Sequence, residues 1–153
     1  MKLCIYHGNC QDGFGAAWVV RKALGDGVEF MPGIYGQPAP DVRGRDVVLV
    51  DFSYKRPSME RLLAEAASVL VLDHHKTAEA DLQGLPGVVF DMNRSGAGIA
   101  WDTYFPNEPR PKLIDHIEDR DLWRFALAYT REIQATVFSY PYDFATWDML
   151  MEM

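Results

Sequence analysis

The sequence predicts an α/β protein: an open, mainly parallel sheet of about five strands with helices on both faces, followed by a helical C-terminal part. Three observations lead to this. Continuous apolar runs such as "VVLVDF" (47–52) and "VLVLD" (69–73) suit strands covered on both faces. Helical stretches fall between the runs, the alternation that gives right-handed crossovers in a parallel sheet. No strand-like run follows Met92.

Taken in chain order, "LCIY" (3–6) is the first strand and "GFGAAWVVRKAL" (13–24) the helix after it. "VEFM" (28–31) is the second strand, and the prolines and glycines of "PGIYGQPAP" (32–40) make a loop. "VVLVDF" leads into the helix "PSMERLLAEAAS" (57–68), whose Pro57 suits a first turn. "VLVLD" and "VVFDM" (88–92) are strands four and five. "SGAGIAWDTYF" (95–105) reads as a helix capped by Ser95, and "FPNEPRP" (105–111) breaks the chain. From Lys112 onward the spacing is helical. The final "FATWDMLMEM" (144–153) is an apolar amphipathic segment that needs something to pack against. Trp101, Tyr104, Trp123 and Phe125 are expected in the core.

A chain of 153 residues suits one domain with a sizeable core, and 48% hydrophobic with 24% charged residues is the mixture of a folded protein. A formal net charge of −7 argues against unspecific coating of nucleic acid but not against a small anion, because bound cations invert local charge. Cys4 and Cys10 make no disulfide framework, "MKLCIYHGN" is no signal peptide, and no apolar stretch is long enough to span a membrane. A cytoplasmic protein with no membrane partner is the expectation.

The polar residues at the strand ends carry the chemistry. His7 follows strand one and Asp12 lies in the turn beyond it. Asp51 ends strand three, and Asp73, His74 and His75 end strand four. In an open parallel sheet, ligands bind beyond the carboxyl ends of the strands. Taken singly, each residue has an ordinary explanation: a turn cap, a loop histidine, a hydrogen-bonded strand end. Together they place three of the chain's four histidines and several acids at one edge, which calls for a neutralising cation. Carboxylates and imidazoles suit Mn²⁺ or Mg²⁺, and the number of ligands suits two ions able to hold both oxygens of a phosphoryl transfer.

The motifs "YHGNCQDGFGAAW", "VLVDFS", "VLVLDHH" and "HIEDRDLWRF", in that order over residues 5 to about 125, resemble the DHH phosphoesterase superfamily, which includes RecJ-type exonucleases and nanoRNases. The resemblance implies His7, Asp12, Asp51, His74 and Asp119 as metal ligands, with Asp51 bridging two ions. Asp121 competes with Asp119, because spacing does not separate them. It further implies Asp73 as the group orienting the His74 imidazole and His75 as the group facing the substrate phosphate, so that Asp51, His75 and Asp73 serve catalysis. The family's first motif usually carries an acid where this chain has Cys10, which leaves Cys10 as a possible ligand, a small buried hydrophobe, or a position served by Asn9.

In "NRSGAG" (93–98), Arg94, Ser95 and Gly96 form a Gly-rich turn opening a helix, suited to a substrate phosphate or to starting the helix alone. "GFGAA" (13–17) is a partial dinucleotide fingerprint with Trp18 in place of the third glycine; its small residues suit close packing instead. The family's oligonucleotide-cleaving members carry a further C-terminal substrate domain, and no such motif is present. Residues 1–153 therefore read as one DHH-type metal-binding domain without its clamp. The resemblance implies hydrolysis of a phosphodiester or phosphomonoester, with a nucleotide or short oligonucleotide as substrate. The alternative is a non-catalytic nucleotide- or metal-binding module, or an inactive truncated domain.

Overall fold

The computed structural model describes residues 1–153, and its centre is a five-stranded parallel sheet in the order β2-β1-β3-β4-β5. The strands are β1 (Lys2–His7), β2 (Val28–Gly33), β3 (Asp46–Val50), β4 (Ser68–Asp73) and β5 (Val88–Phe90). All five expected strands are present. β1 pairs with both β2 and β3, so the chain winds one way from β1 to β2 and the other way from β3 to β5. The switch point lies between the ends of β1 and β3, where open α/β sheets form their ligand crevice.

Both faces of the sheet are covered. On one, Cys4, Val48, Val50 and Leu72 pack beneath α1 (Gln11–Leu24) and, after two shorter helices, α4 (Gly96–Tyr104) and α5 (Lys112–Asp121). On the other, Leu3, Ile5, Val47, Leu49 and Val71 pack against Met59 and Leu62 of α2 (Arg56–Glu65) and Leu82 beyond α3 (Lys76–Asp81). Neighbouring strand residues point to opposite faces. Strands that bury both sets are therefore apolar throughout.

Local chemistry explains most boundaries. Pro57 stands at the start of α2, and the Ser95 hydroxyl accepts from the Gly98 N–H at 3.0 Å to cap α4. The helix α3 has no buried residue and no apolar period to announce it. The "GFGAA" glycines serve packing: a Cβ on Gly15 would already touch Ala97 at 3.4 Å, so α1 lies tight on α4.

The C-terminal part contains α5, α6 (Thr130–Phe138) and α7 (Phe144–Met151). The apolar final segment packs within the chain. Trp147 is fully buried, its ring 5.1 Å from that of Phe14 in α1, and the Trp18 indole N–H donates to Asp148 at 2.8 Å. Trp101 is buried as expected, whereas Trp123 is not: it is 72% exposed in the turn after α5. Both cysteines are free, and no helix is long and apolar enough to cross a membrane.

Candidate metal centre

Asp51 leaves the ladder as soon as β3 ends, with a left-handed φ of 56° that aspartate tolerates better than most residues. Its N–H donates to the Leu72 carbonyl at 2.8 Å, so the turn is anchored to β4. Around its carboxylate the expected residues converge. His7, Asp51 and His75 form one group of ligand-type atoms within 4.8 Å of one another, and Asp12, Asp51 and His74 form a second. His74 Nε2 lies 3.0 Å from Asp51 Oδ1, 3.2 Å from Asp12 and 3.2 Å from Asp121. The strand ends and the first turn of α1 thus deliver two imidazole–carboxylate clusters sharing Asp51.

The electrostatics are those of a site short of positive charge. Burial, then the Asp51 carboxylate, raise the Asp12 pKa. Burial and the neighbouring Asp12 push Asp121 up to about 6. Burial alone would lower His74, but the carboxylates of Asp12 and Asp51 outweigh it and raise the imidazole to about 11. His7 Nδ1 is buried with no hydrogen-bond partner, 3.5 Å from Asp51 Oδ2. An orphaned ring nitrogen beside crowded carboxylates is the chemistry of a donor set, and its oxygens and imidazoles fit Mn²⁺ or Mg²⁺.

Several expected roles are corrected. Asp119 does not join the clusters: its carboxylate accepts from the Ala126 N–H (2.8 Å), the Leu127 N–H (3.0 Å) and the Thr130 hydroxyl (2.7 Å). It is buried and fastens a turn in which Trp123 and Phe125 are left-handed, with φ of 57° and 48°. Asp121, two residues on, is the acid that reaches His74. Asp119→Ala is expected to lower stability by about 2–4 kcal/mol by orphaning those donors, with little change in Mn²⁺ binding. Asp121→Asn is expected to do the reverse. Thermal melts and equilibrium dialysis of the two variants read both effects.

Asp73 orients His75 rather than the His74 ring. Its Oδ1 lies 2.6 Å from His75 Nδ1 and also accepts the His74 backbone N–H at 2.8 Å, while Ser53 donates to Oδ2 at 2.7 Å. Burial would raise Asp73, but these bonds bring it below the usual carboxylate range. His75, expected at the substrate phosphate alone, is also a member of the first cluster. Ser53 is the residue the sequence reading missed; it lies within "VLVDFS", directly after the buried Phe52.

The anion at the α4 N-terminus is part of the protein. The Gly96 and Ala97 N–H groups donate to the two oxygens of Asp12, each at 2.8 Å, and the Ser95 N–H donates to Glu118 at 2.9 Å. Arg94 is likewise engaged by Asp91 at 2.8 Å and Asp102 at 3.2 Å. The amides of Ser95 and Gly96 and the Arg94 guanidinium, expected at a substrate phosphate, are thus engaged by carboxylates of the chain itself. Gly96 also allows α4 to approach: a Cβ there would stand 2.5 Å from Asp51 Cβ.

The Cys10 thiol donates to Asp51 Oδ2 at 3.6 Å, and burial followed by the Asp51 charge pushes it up to about 12. It lies in neither cluster. Cys10→Ser should leave the bound Mn²⁺ count unchanged, measured by elemental analysis; loss of an ion would make the sulfur a ligand.

No family model matches the chain. An uncharacterized protein of Acanthamoeba polyphaga mimivirus is 32% identical over 166 aligned residues, covering 97% of this chain and 39% of that protein. This chain thus spans well under half the length of that relative. The crystal structure of an uncharacterized protein from Helicobacter pylori G27 superposes with a TM-score of 0.67 at 16% identity, over 87% of this chain and 46% of that one. The likeness shows a shared fold.

Proposed function

We propose that this protein is a divalent-metal-dependent phosphoesterase of the DHH type, hydrolysing a phosphodiester or phosphomonoester of a nucleotide or short oligonucleotide. The observation that carries this reading is Asp51, common to two ligand-type clusters at the sheet's switch point. Bound there, two Mn²⁺ or Mg²⁺ ions would supply Lewis-acid charge and make water acidic enough to attack a phosphoester at neutral pH.

The chain's own groups divide the work. His7, His75 and Asp51 would hold one cation, and Asp12, His74 and Asp51 the other, with Asp121 in reach of His74. With its Nδ1 proton donated to Asp73, His75 would offer Nε2 to a cation. The amides of α4 hold both oxygens of Asp12, which prevents that carboxylate from rotating when it is crowded. Buried Phe52 excludes water from one side of the His7 ring, its own ring 6.2 Å away.

Turnover of bis-p-nitrophenyl phosphate is expected with Mn²⁺ and is expected to stop on adding chelator. A protein that binds Mn²⁺ but turns over neither this ester nor a dinucleotide is instead a non-catalytic binding module.

A further inference from the structure

Outside the cation clusters, between the loop after β2 and the helices α2 and α3, lies a cleft of about 720 Å³. That size lies within the range of small-ligand sites, roughly 300–1,000 Å³. One wall is aromatic. Tyr35 is 52% exposed, yet its ring lies 4.7 Å from that of Phe52 and 5.4 Å from that of His7. Phe52 rests edge-on against Tyr54 at 4.9 Å. Gly33 permits this stack, because a Cβ there would stand 2.7 Å from the Phe52 ring.

The other walls carry polar groups: Gln37 from the loop, Ser58 from α2, and Thr77 and Asp81 from α3, the Asp81 carboxylate already accepting the Arg56 N–H at 2.8 Å. Lys55 also lines the cleft and takes no part in the ion pairs of α2, where Arg56 and Arg61 engage Glu60 and Glu65. His75 belongs both to the cleft lining and to the first cation cluster, so the two spaces adjoin.

These features select a ligand class. An aliphatic chain would leave the amide and hydroxyls unpaired, and a bare phosphate would leave the Tyr35 ring uncovered. A planar heteroaromatic ring uses both, and an attached anion would find Lys55 on one side and the cations on the other. We propose that this cleft is a nucleobase subsite, in which Tyr35 stacks on the ring of a nucleotide whose phosphate points past His75 to the cation clusters. The direction of the phosphate rests on the phosphoesterase reading; the stacking does not.

Adenosine, which carries no phosphate, is the probe. It is titrated against the full chain after chelator treatment and followed by saturation transfer to its ring protons, with ribose as control. The wild-type protein is expected to saturate adenosine and not ribose. Tyr35→Ala is expected to weaken adenosine binding about tenfold and Tyr35→Phe to retain it. Ser58→Trp, a surface change on α2, is expected to fill the cleft and abolish binding whatever the stability of the Tyr35 variant. Equal transfer to ribose, or unchanged affinity in either Tyr35→Ala or Ser58→Trp, overturns the subsite. Adenosine binding without Mn²⁺-dependent turnover keeps the subsite and sinks only the phosphoesterase reading; turnover without adenosine binding does the opposite.

Discussion

Replacing Asp51 with asparagine is expected, on the proposed two-cation reading, to abolish Mn²⁺ binding at both clusters and to slow phosphoester turnover by on the order of a thousandfold. Asparagine is the informative choice. It keeps the volume and tolerates the left-handed φ of 56°, which alanine does less readily, so the turn after β3 survives. What it lacks is the charge shared by the two clusters. Without metal, the variant should melt close to the wild type, because relief of the repulsion that raises the Asp12 pKa is offset by loss of the carboxylate that helps keep the His74 imidazole charged. Equilibrium dialysis against Mn²⁺ and a chelator-treated melt read the two effects separately. An Asp51→Asn protein that still holds two ions would refute the shared-ligand geometry.

Gly96→Ala is the second large effect, and its sign runs against habit. In a helix open to solvent, glycine to alanine usually stabilises by a few tenths to about 1 kcal/mol. Here the new methyl would stand 2.5 Å from Asp51 Cβ and 2.9 Å from its Cγ. Neither neighbour can give way freely: Asp51 is tied to Leu72, and the Gly96 and Ala97 amides are tied to Asp12. Overpacking of this kind costs about 1–3 kcal/mol, a fall of roughly 2–12 °C in Tm for a chain of this size. Mn²⁺ affinity should drop about 10–100-fold, as when groups that orient metal ligands are lost. Wild-type melting and wild-type Mn²⁺ affinity together would show that α4 does not press on the site.

The architecture was legible because parallel strands buried on both faces leave uninterrupted apolar runs. So were His7, Asp12, Asp51, His74 and His75, which follow or end those runs and so face one edge. The failures share a cause, which is that long-range pairing leaves no local mark. The anion at the α4 N-terminus is real, but it is Asp12, 84 residues earlier in the chain. Asp119 and Asp121 both belong to α5, and only the turn beyond decides which is used: left-handed Trp123 and Phe125 bring the Ala126 and Leu127 amides onto Asp119. Trp123 looked like core by composition and is exposed by that same turn. Tyr35 read as loop, and nothing near it in sequence announces the Phe52 ring that supports it.

The residues around Asp51 come from positions 7, 12, 51, 74, 75 and 121, so they meet only when the sheet and α5 are assembled together. An unfolded chain holds them far apart and would bind Mn²⁺ feebly. Every cation captured by the native form therefore shifts the folding equilibrium toward it, by about 2.7 kcal/mol when free metal stands at a hundred times its dissociation constant. On the proposed two-cation reading, the free metal around the protein would set its folding equilibrium as well as its activity.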